Sequence, residues 1–175
     1  NLAFAEFPSF QGPNRMSELH VNQIKGFLNR EFGGKIDLSD YQGKPQNEVE
    51  SAFLSRALAA YALVTLTAIS VDQAAAAVTD GYQDNGIDAI FFDSVEKQLY
   101  LVQSKWSHDG SGTIDRGSVQ KFIQGVRDLL NGQFNRFNAK VQSKKSEVEQ
   151  ALLDASAGFM LVTTYTGTQS LASEP

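Results

Sequence analysis

Asp84-Asn85-Gly86-Ile87-Asp88-Ala89-Ile90-Phe91-Phe92, followed beyond Ser94-Val95-Glu96-Lys97 by Leu99-Tyr100-Leu101-Val102-Gln103-Ser104-Lys105, is the stretch that decides how this chain is read. Two β-rich runs flank a polar four-residue connection, which has the length and chemistry of a hairpin loop. Pairing Asp93 with Gln98 across that turn sets Phe91 opposite Tyr100, Ile90 opposite Leu101 and Asp88 opposite Gln103. Alternate residues share a face of a strand, so Asp88, Gln103 and Lys105 are expected on one face near one end of the hairpin. Cross-strand neighbours lie about 5 Å apart at Cβ, close enough to share a metal ion or a phosphate, and a one-residue slip of register separates them. Charged groups set into apolar strands need pairing or a ligand to be buried.

Helical patterns flank the hairpin. Ser17 is placed to cap a helix running to about Phe32, with Leu19, Ile24, Phe27 and Leu28 as its apolar stripe and Gly33-Gly34 as its stop. Asn47-Glu48-Val49-Glu50 resembles a capping box at the start of a helix to about Ala68. Glu50, Phe53, Leu54, Ala57, Leu58 and Tyr61 share one helical face, so Glu50 begins the inward side. The uncharged run from Ala57 to Val71 is shorter than the roughly 20 residues that span a bilayer, and it reads as a buried helix. A short alanine-rich helix follows from Asp72 to about Val78. Beyond the hairpin, Asp115 caps a helix with Val119, Phe122, Ile123, Val126, Leu129 and Leu130 inward, and a further helix is expected from about Phe134 to Ala155. The β-rich run Gly158 to Thr164 should join the sheet beside the hairpin. This order is that of an α/β sandwich.

Composition narrows the chemistry. The 175 residues are 42% hydrophobic and 20% charged, enough for one globular domain with a core. With no cysteine and two histidines, His20 and His108, disulfides and thiolate metal sites are excluded and zinc chemistry is disfavoured. Glu6 and Pro8 interrupt any signal-peptide pattern, so a cytoplasmic location without membrane association is expected. P-loop, GxSxG and HExxH signatures are missing. Residues 1–15, with Pro8, Gly12 and Pro13, read as an irregular lead-in. The end at Ser173-Glu174-Pro175, soon after an apolar strand, suggests the N-terminal part of a longer protein.

Asp88, a fourteen-residue gap and Gln103-Ser104-Lys105 together resemble the core of the PD-(D/E)XK nuclease superfamily, in the Q-x-K form of Mrr-type restriction endonucleases. With Asp80-Gly81 and the Gly86-Ile87-Asp88 strand included, residues 80–105 resemble the amino-terminal domain of AIPR proteins, which are associated with abortive phage infection. The resemblance implies a restriction-endonuclease-like αβββαβ fold, with a mixed central sheet flanked by helices. It places a nuclease-like domain at 47–175, preceded by a helical extension at 1–46. The implied activity is Mg²⁺-dependent hydrolysis of nucleic acid, DNA before RNA, with Mn²⁺ as a substitute and self-association left open. Two departures stand out: no proline precedes Asp88, and Gln103 replaces the middle acid, leaving an amide oxygen that still suits a hard cation.

On this resemblance Asp88 is the central metal ligand, joined by the Gln103 amide oxygen, the Ser104 backbone carbonyl and Glu50, while Lys105 attends the attacking water. Glu50 reads equally well as the closing residue of its cap. Asp84 is either a ligand of a second ion or a turn residue before Asn85-Gly86. The net charge of −5 runs against the basic footprint usual for nucleic-acid binders. Lys140, Lys144 and Lys145 are either phosphate contacts or a solvated helix face, and Trp106 either stacks on a base or packs at a strand end. A catalytically inactive nucleic-acid-binding or interaction domain on the same fold is the alternative to an active nuclease.

Overall fold

The computed structural model describes residues 17–167. The hairpin forms as β1 (Ala89–Asp93) and β2 (Gln98–Lys105), antiparallel, with Phe91 opposite Tyr100, Ile90 opposite Leu101 and Asp93 opposite Gln98. Its turn is closed by Asp93, whose Oδ1 accepts from the N–H groups of Val95 at 2.9 Å and Glu96 at 3.1 Å. Lys97 supplies the left-handed residue, at φ 56°. β3 (Gly158–Tyr165) lies parallel to β2, from Gln98 beside Gly158 to Lys105 beside Tyr165, giving a mixed sheet in the order β1-β2-β3. The central strand is covered on both faces, which explains its unbroken apolar run from Leu99 to Val102.

One face meets α1 (Glu18–Phe32), α2 (Gln46–Leu66) and α3 (Val71–Ala76), whose Leu28, Leu54, Ala57 and Leu63 pack with Ala89, Tyr100 and Val102. The other meets α4 (Arg116–Leu130), α5 (Ala139–Ser143) and α6 (Lys145–Leu153), whose Phe122, Leu129, Val141 and Val148 pack with Ile90, Phe92, Leu99 and Leu101. Each fully buried leucine contributes roughly 1.5–3 kcal/mol by leaving water. The expected caps at Ser17 and Asp115 are present, accepting from the N–H groups of His20 and Ser118. α1 shares the core of α2 through Leu28 and Phe32, so packing continues across residue 46. α2 is long and apolar enough by composition to cross a membrane, yet Leu54, Ala57, Ala59, Ala60 and Leu63 have no exposure because the sheet and neighbouring helices cover them.

Two expected elements differ. α2 starts at Gln46 behind Pro45, and no side chain caps it, so Asn47 and Glu50 form no capping box. Pro45 needs no donor at this position, and its carbonyl takes the N–H groups of Glu48 and Val49. The single helix expected from Phe134 to Ala155 is a 3-10 turn (Phe134–Arg136) followed by α5 and α6. Asn138 causes the break: its side chain caps Val141, while its Nδ2 and backbone N–H donate to the carbonyls of Thr79 and Gln83. The lead-in at 1–15 and the end at 173–175 lie outside the described residues.

Residues 77–80 run along the other side of β1. Val78 bridges Ala89 antiparallel, Ile90 N–H donates to the Ala77 carbonyl at 2.9 Å, and the Asp88 carbonyl accepts from Thr79 and Asp80 at 2.8 and 3.1 Å. This segment brings Asp80 to the entrance of the hairpin.

Candidate metal centre

The regular register stops at Asp88. Val102 pairs with Ala89, yet its carbonyl also accepts from the Asp88 N–H at 2.7 Å, so two residues oppose one as in a β-bulge. In consequence Ile87 and Ile90 pack in the same cluster, where strict alternation sends them to opposite faces. Asp88 still engages the Gln103-Ser104-Lys105 segment, because its Oδ2 accepts the Ser104 backbone N–H at 2.6 Å. Ser104 therefore meets Asp88 through its N–H, and its hydroxyl donates to the Ser55 carbonyl on α2.

The loop before the strand turns a second carboxylate inward. Gln83, Asn85 and Gly86 all have positive φ, and the tight path lets Asp84 accept from Gly81 N–H at 3.1 Å and Gly86 N–H at 2.7 Å. Asp84 thus shapes the turn, and the residue is buried. Oxygens of Asp80, Asp84 and Asp88 lie within 4.8 Å of one another.

Two cations offset this cluster. Arg56, with no exposure, donates from Nε to Asp80 Oδ2 at 2.7 Å, forks onto Asp40 at 2.7 and 2.6 Å, and lies over the Tyr41 ring. Lys121 on α4 reaches Asp84 Oδ1 at 3.3 Å. Asp88 forms no ion pair among the described residues. Burial, with the charge of Asp80 added, pushes its carboxyl well above the usual range despite the opposing Ser104 hydrogen bond. Burial also raises Asp80, against the pull of Arg56.

Gln103 borders the same loop. It is 8% exposed, its Nε2 donates to the Ser118 carbonyl at 3.1 Å, and its Oε1 is buried with no hydrogen-bond partner among the described residues. A Cβ at Gly86 would lie 3.3 Å from that Nε2, so the amide abuts the acidic loop. A buried acceptor without a partner costs about 1–3 kcal/mol. Three carboxylates whose oxygens come this close together fit the ligand set of a metal ion.

Other expected site residues lie elsewhere. Lys105 is half exposed and pairs with Asp115 at 3.0 Å, so it forms no structural ion pair with Asp88. Glu50 is corrected: it pairs with Lys25 of α1 at 2.5 Å, and Asp80 and Asp84 are the acids gathered with Asp88. Trp106 is half buried against the α1–α3 core, with Nε1 donating to His108 Nδ1 at 3.3 Å. Lys140, Lys144 and Lys145 each face an acid, respectively Asp37, Glu147 and Glu149, and so do not present a common free cationic patch. Sequence reasoning passed over Asp80, Arg56 and Lys121 as site residues. The available signals were the four-residue spacing of Asp80, Asp84 and Asp88 and the lone arginine three residues after inward Phe53. Comparison with protein-family models, curated proteins and solved structures found no match.

Proposed function

We propose that this domain is a metal-dependent phosphodiester hydrolase acting on nucleic acid, DNA in the first instance, with a restriction-endonuclease-like fold. The observation that carries this reading is the convergence of Asp80 with the buried Asp84 and Asp88, on a loop that Gln103 abuts with an Oε1 that lacks a partner among the described residues. The order α2, the bridge at 77–80, β1, β2, α4, β3 supports an αβββαβ arrangement whose first strand is reduced to one bridge. The phage-defence assignment rests on the motif resemblance.

Asp88 and Asp84 would hold Mg²⁺ or Mn²⁺, with Gln103 Oε1 as a neutral ligand and Asp80 fixed behind them by Arg56. Such an ion supplies Lewis acidity at a phosphoryl oxygen and acidifies water. The Ser104 N–H holds the Asp88 carboxylate in place, and Gln103 is oriented by the Ser118 carbonyl. Lys105, held among the described residues only by exposed Asp115, can leave it to offset charge on a phosphate or to orient the attacking water.

The rival is an interaction domain on the same fold, supported by the ion pairs of Lys121 with Asp84 and Arg56 with Asp80, which already offset two of the acids. The two readings separate in one assay. Plasmid, linear duplex, single-stranded DNA and RNA are incubated with Mg²⁺, Mn²⁺ or EDTA, using the wild type and Asp88→Ala. Metal-dependent cleavage lost in Asp88→Ala is the expected result. Cleavage unchanged in that variant, or no cleavage of any substrate, rejects the hydrolase.

A further inference from the structure

The cations around the acidic cluster differ in one respect. Arg56 is fully buried and fixed by Asp40, Asp80 and the Asp37 carbonyl. Lys121 is 59% exposed at its side chain, and the only polar contact it makes among the described residues is with Asp84, whose own side chain is 10% exposed. Asp84 cannot follow the lysine outward, because Gly81 and Gly86 N–H groups hold both its oxygens. The pair is therefore asymmetric: the acid is fixed, and the ammonium sits on a flexible stem at the protein surface.

We infer that Lys121 is a replaceable counter-ion. It occupies Asp84 while the centre lacks metal, yields that carboxylate when a divalent cation enters, and then presents its ammonium to a phosphate of the nucleic-acid substrate. The inference rests on the proposed metal centre. Its physical basis is competition for Asp84 Oδ1, which already accepts from both Gly86 N–H and Lys121. Once released, Lys121 stands at the rim of the same cluster on the first turns of α4, where phosphate oxygens would approach.

The test is calorimetric titration of Mn²⁺ into the whole chain as wild type, Lys121→Met, Lys121→Gln, Lys121→Arg and Asp88→Ala, with thermal melts as fold controls. Oligonucleotide binding in Ca²⁺ is measured alongside. Losing an ion pair whose ammonium stays at the surface changes an equilibrium by at least roughly two- to fivefold, so Lys121→Met and Lys121→Gln should bind Mn²⁺ more tightly by that factor or more. Both should bind the oligonucleotide more weakly, and Lys121→Arg should resemble the wild type. Equal Mn²⁺ affinity in wild type and Lys121→Met, with binding lost in Asp88→Ala, overturns the counter-ion role and leaves the metal centre standing. No Mn²⁺ binding by wild type or Lys121→Met overturns both. Tighter Mn²⁺ binding with unchanged oligonucleotide affinity overturns the phosphate role.

Discussion

The Asp88 carboxylate accepts the backbone N–H of Ser104 at 2.6 Å, which locks the acid of one strand onto the Gln103-Ser104-Lys105 segment of the next although the ladder register has already broken. That bond holds a buried carboxylate with no ion-pair partner among the described residues. The metal-free protein accordingly carries a stored electrostatic cost at this position.

This cost has a pH signature. Burial raises the Asp88 carboxyl in the fold above its unfolded value, so the folded state binds the proton more tightly. The contribution of Asp88 to stability is fully present below the unfolded value, near 3.9, and is lost as pH rises through the folded one. Asp88→Asn should remove that loss while preserving an acceptor for Ser104. Thermal melts of metal-free wild type and Asp88→Asn across pH 4–8 should diverge as pH rises, with the variant more stable at neutral pH. Parallel curves reject the assignment.

Arg56 sustains both the acidic centre and the packing of α2. It offers its Nε to Asp80 and its fork to Asp40 with no exposure to water. Breaking a buried ion pair by removing one partner costs about 3–5 kcal/mol, and lysine cannot reproduce the fork. Arg56→Met and Arg56→Lys should both lower the denaturant midpoint strongly. A midpoint within error of wild type for Arg56→Met contradicts this role.

How far the sequence reaches is set by which interactions are local. The hairpin register was legible because turn length and apolar alternation both act within a few residues, and the Asp93 turn obeys them. The bulge at Asp88 was not, because it depends on the 77–80 segment claiming the Asp88 carbonyl, which periodicity does not encode. Asp84 was legible as a turn residue and, separately, as a ligand candidate; only the left-handed path through Gln83 to Gly86 makes it both. Glu50 was misplaced because its partner, Lys25, comes from α1, and a helical-face argument weighs only the helix itself. The three lysines looked like a basic group in sequence because their acids, Asp37, Glu147 and Glu149, are matched to them only in the fold or along helix faces.

Gly125 sets the distance between α4 and the acidic loop. A Cβ there would lie 2.4 Å from the Asn85 carbonyl oxygen, a backbone atom one residue from Asp84. Gly125→Ala must push the loop away from the helix, at a cost of about 1–3 kcal/mol. Mn²⁺ affinity should fall together with stability, because Asp84 moves with the loop. Wild-type affinity in a destabilised Gly125→Ala variant would separate Asp84 from the metal centre.

Gln103 and Lys105 are the positions at which chemistry can be altered with least disturbance of packing. Gln103→Glu keeps the side-chain length, supplies a charged oxygen where Oε1 has no partner, and exchanges the amide donor to Ser118 for an acceptor. In the metal-free protein the added acid is destabilising, since it puts a charge at a buried position against the Ser118 carbonyl. With Mg²⁺ bound the added ligand charge outweighs that loss, so Gln103→Glu should retain cleavage, bind metal more tightly and gain more thermal stability on metal addition than the wild type. Lys105→Ala removes a half-exposed ammonium paired with exposed Asp115, an interaction worth about 0–1 kcal/mol. Its melt should therefore stay close to wild type while the cleavage rate falls by at least tenfold. Initial rates and melts on the same preparations decide the matter: full activity in Lys105→Ala removes that residue from the mechanism, and a smaller metal-induced shift in Gln103→Glu than in the wild type removes the amide oxygen from the ligand set.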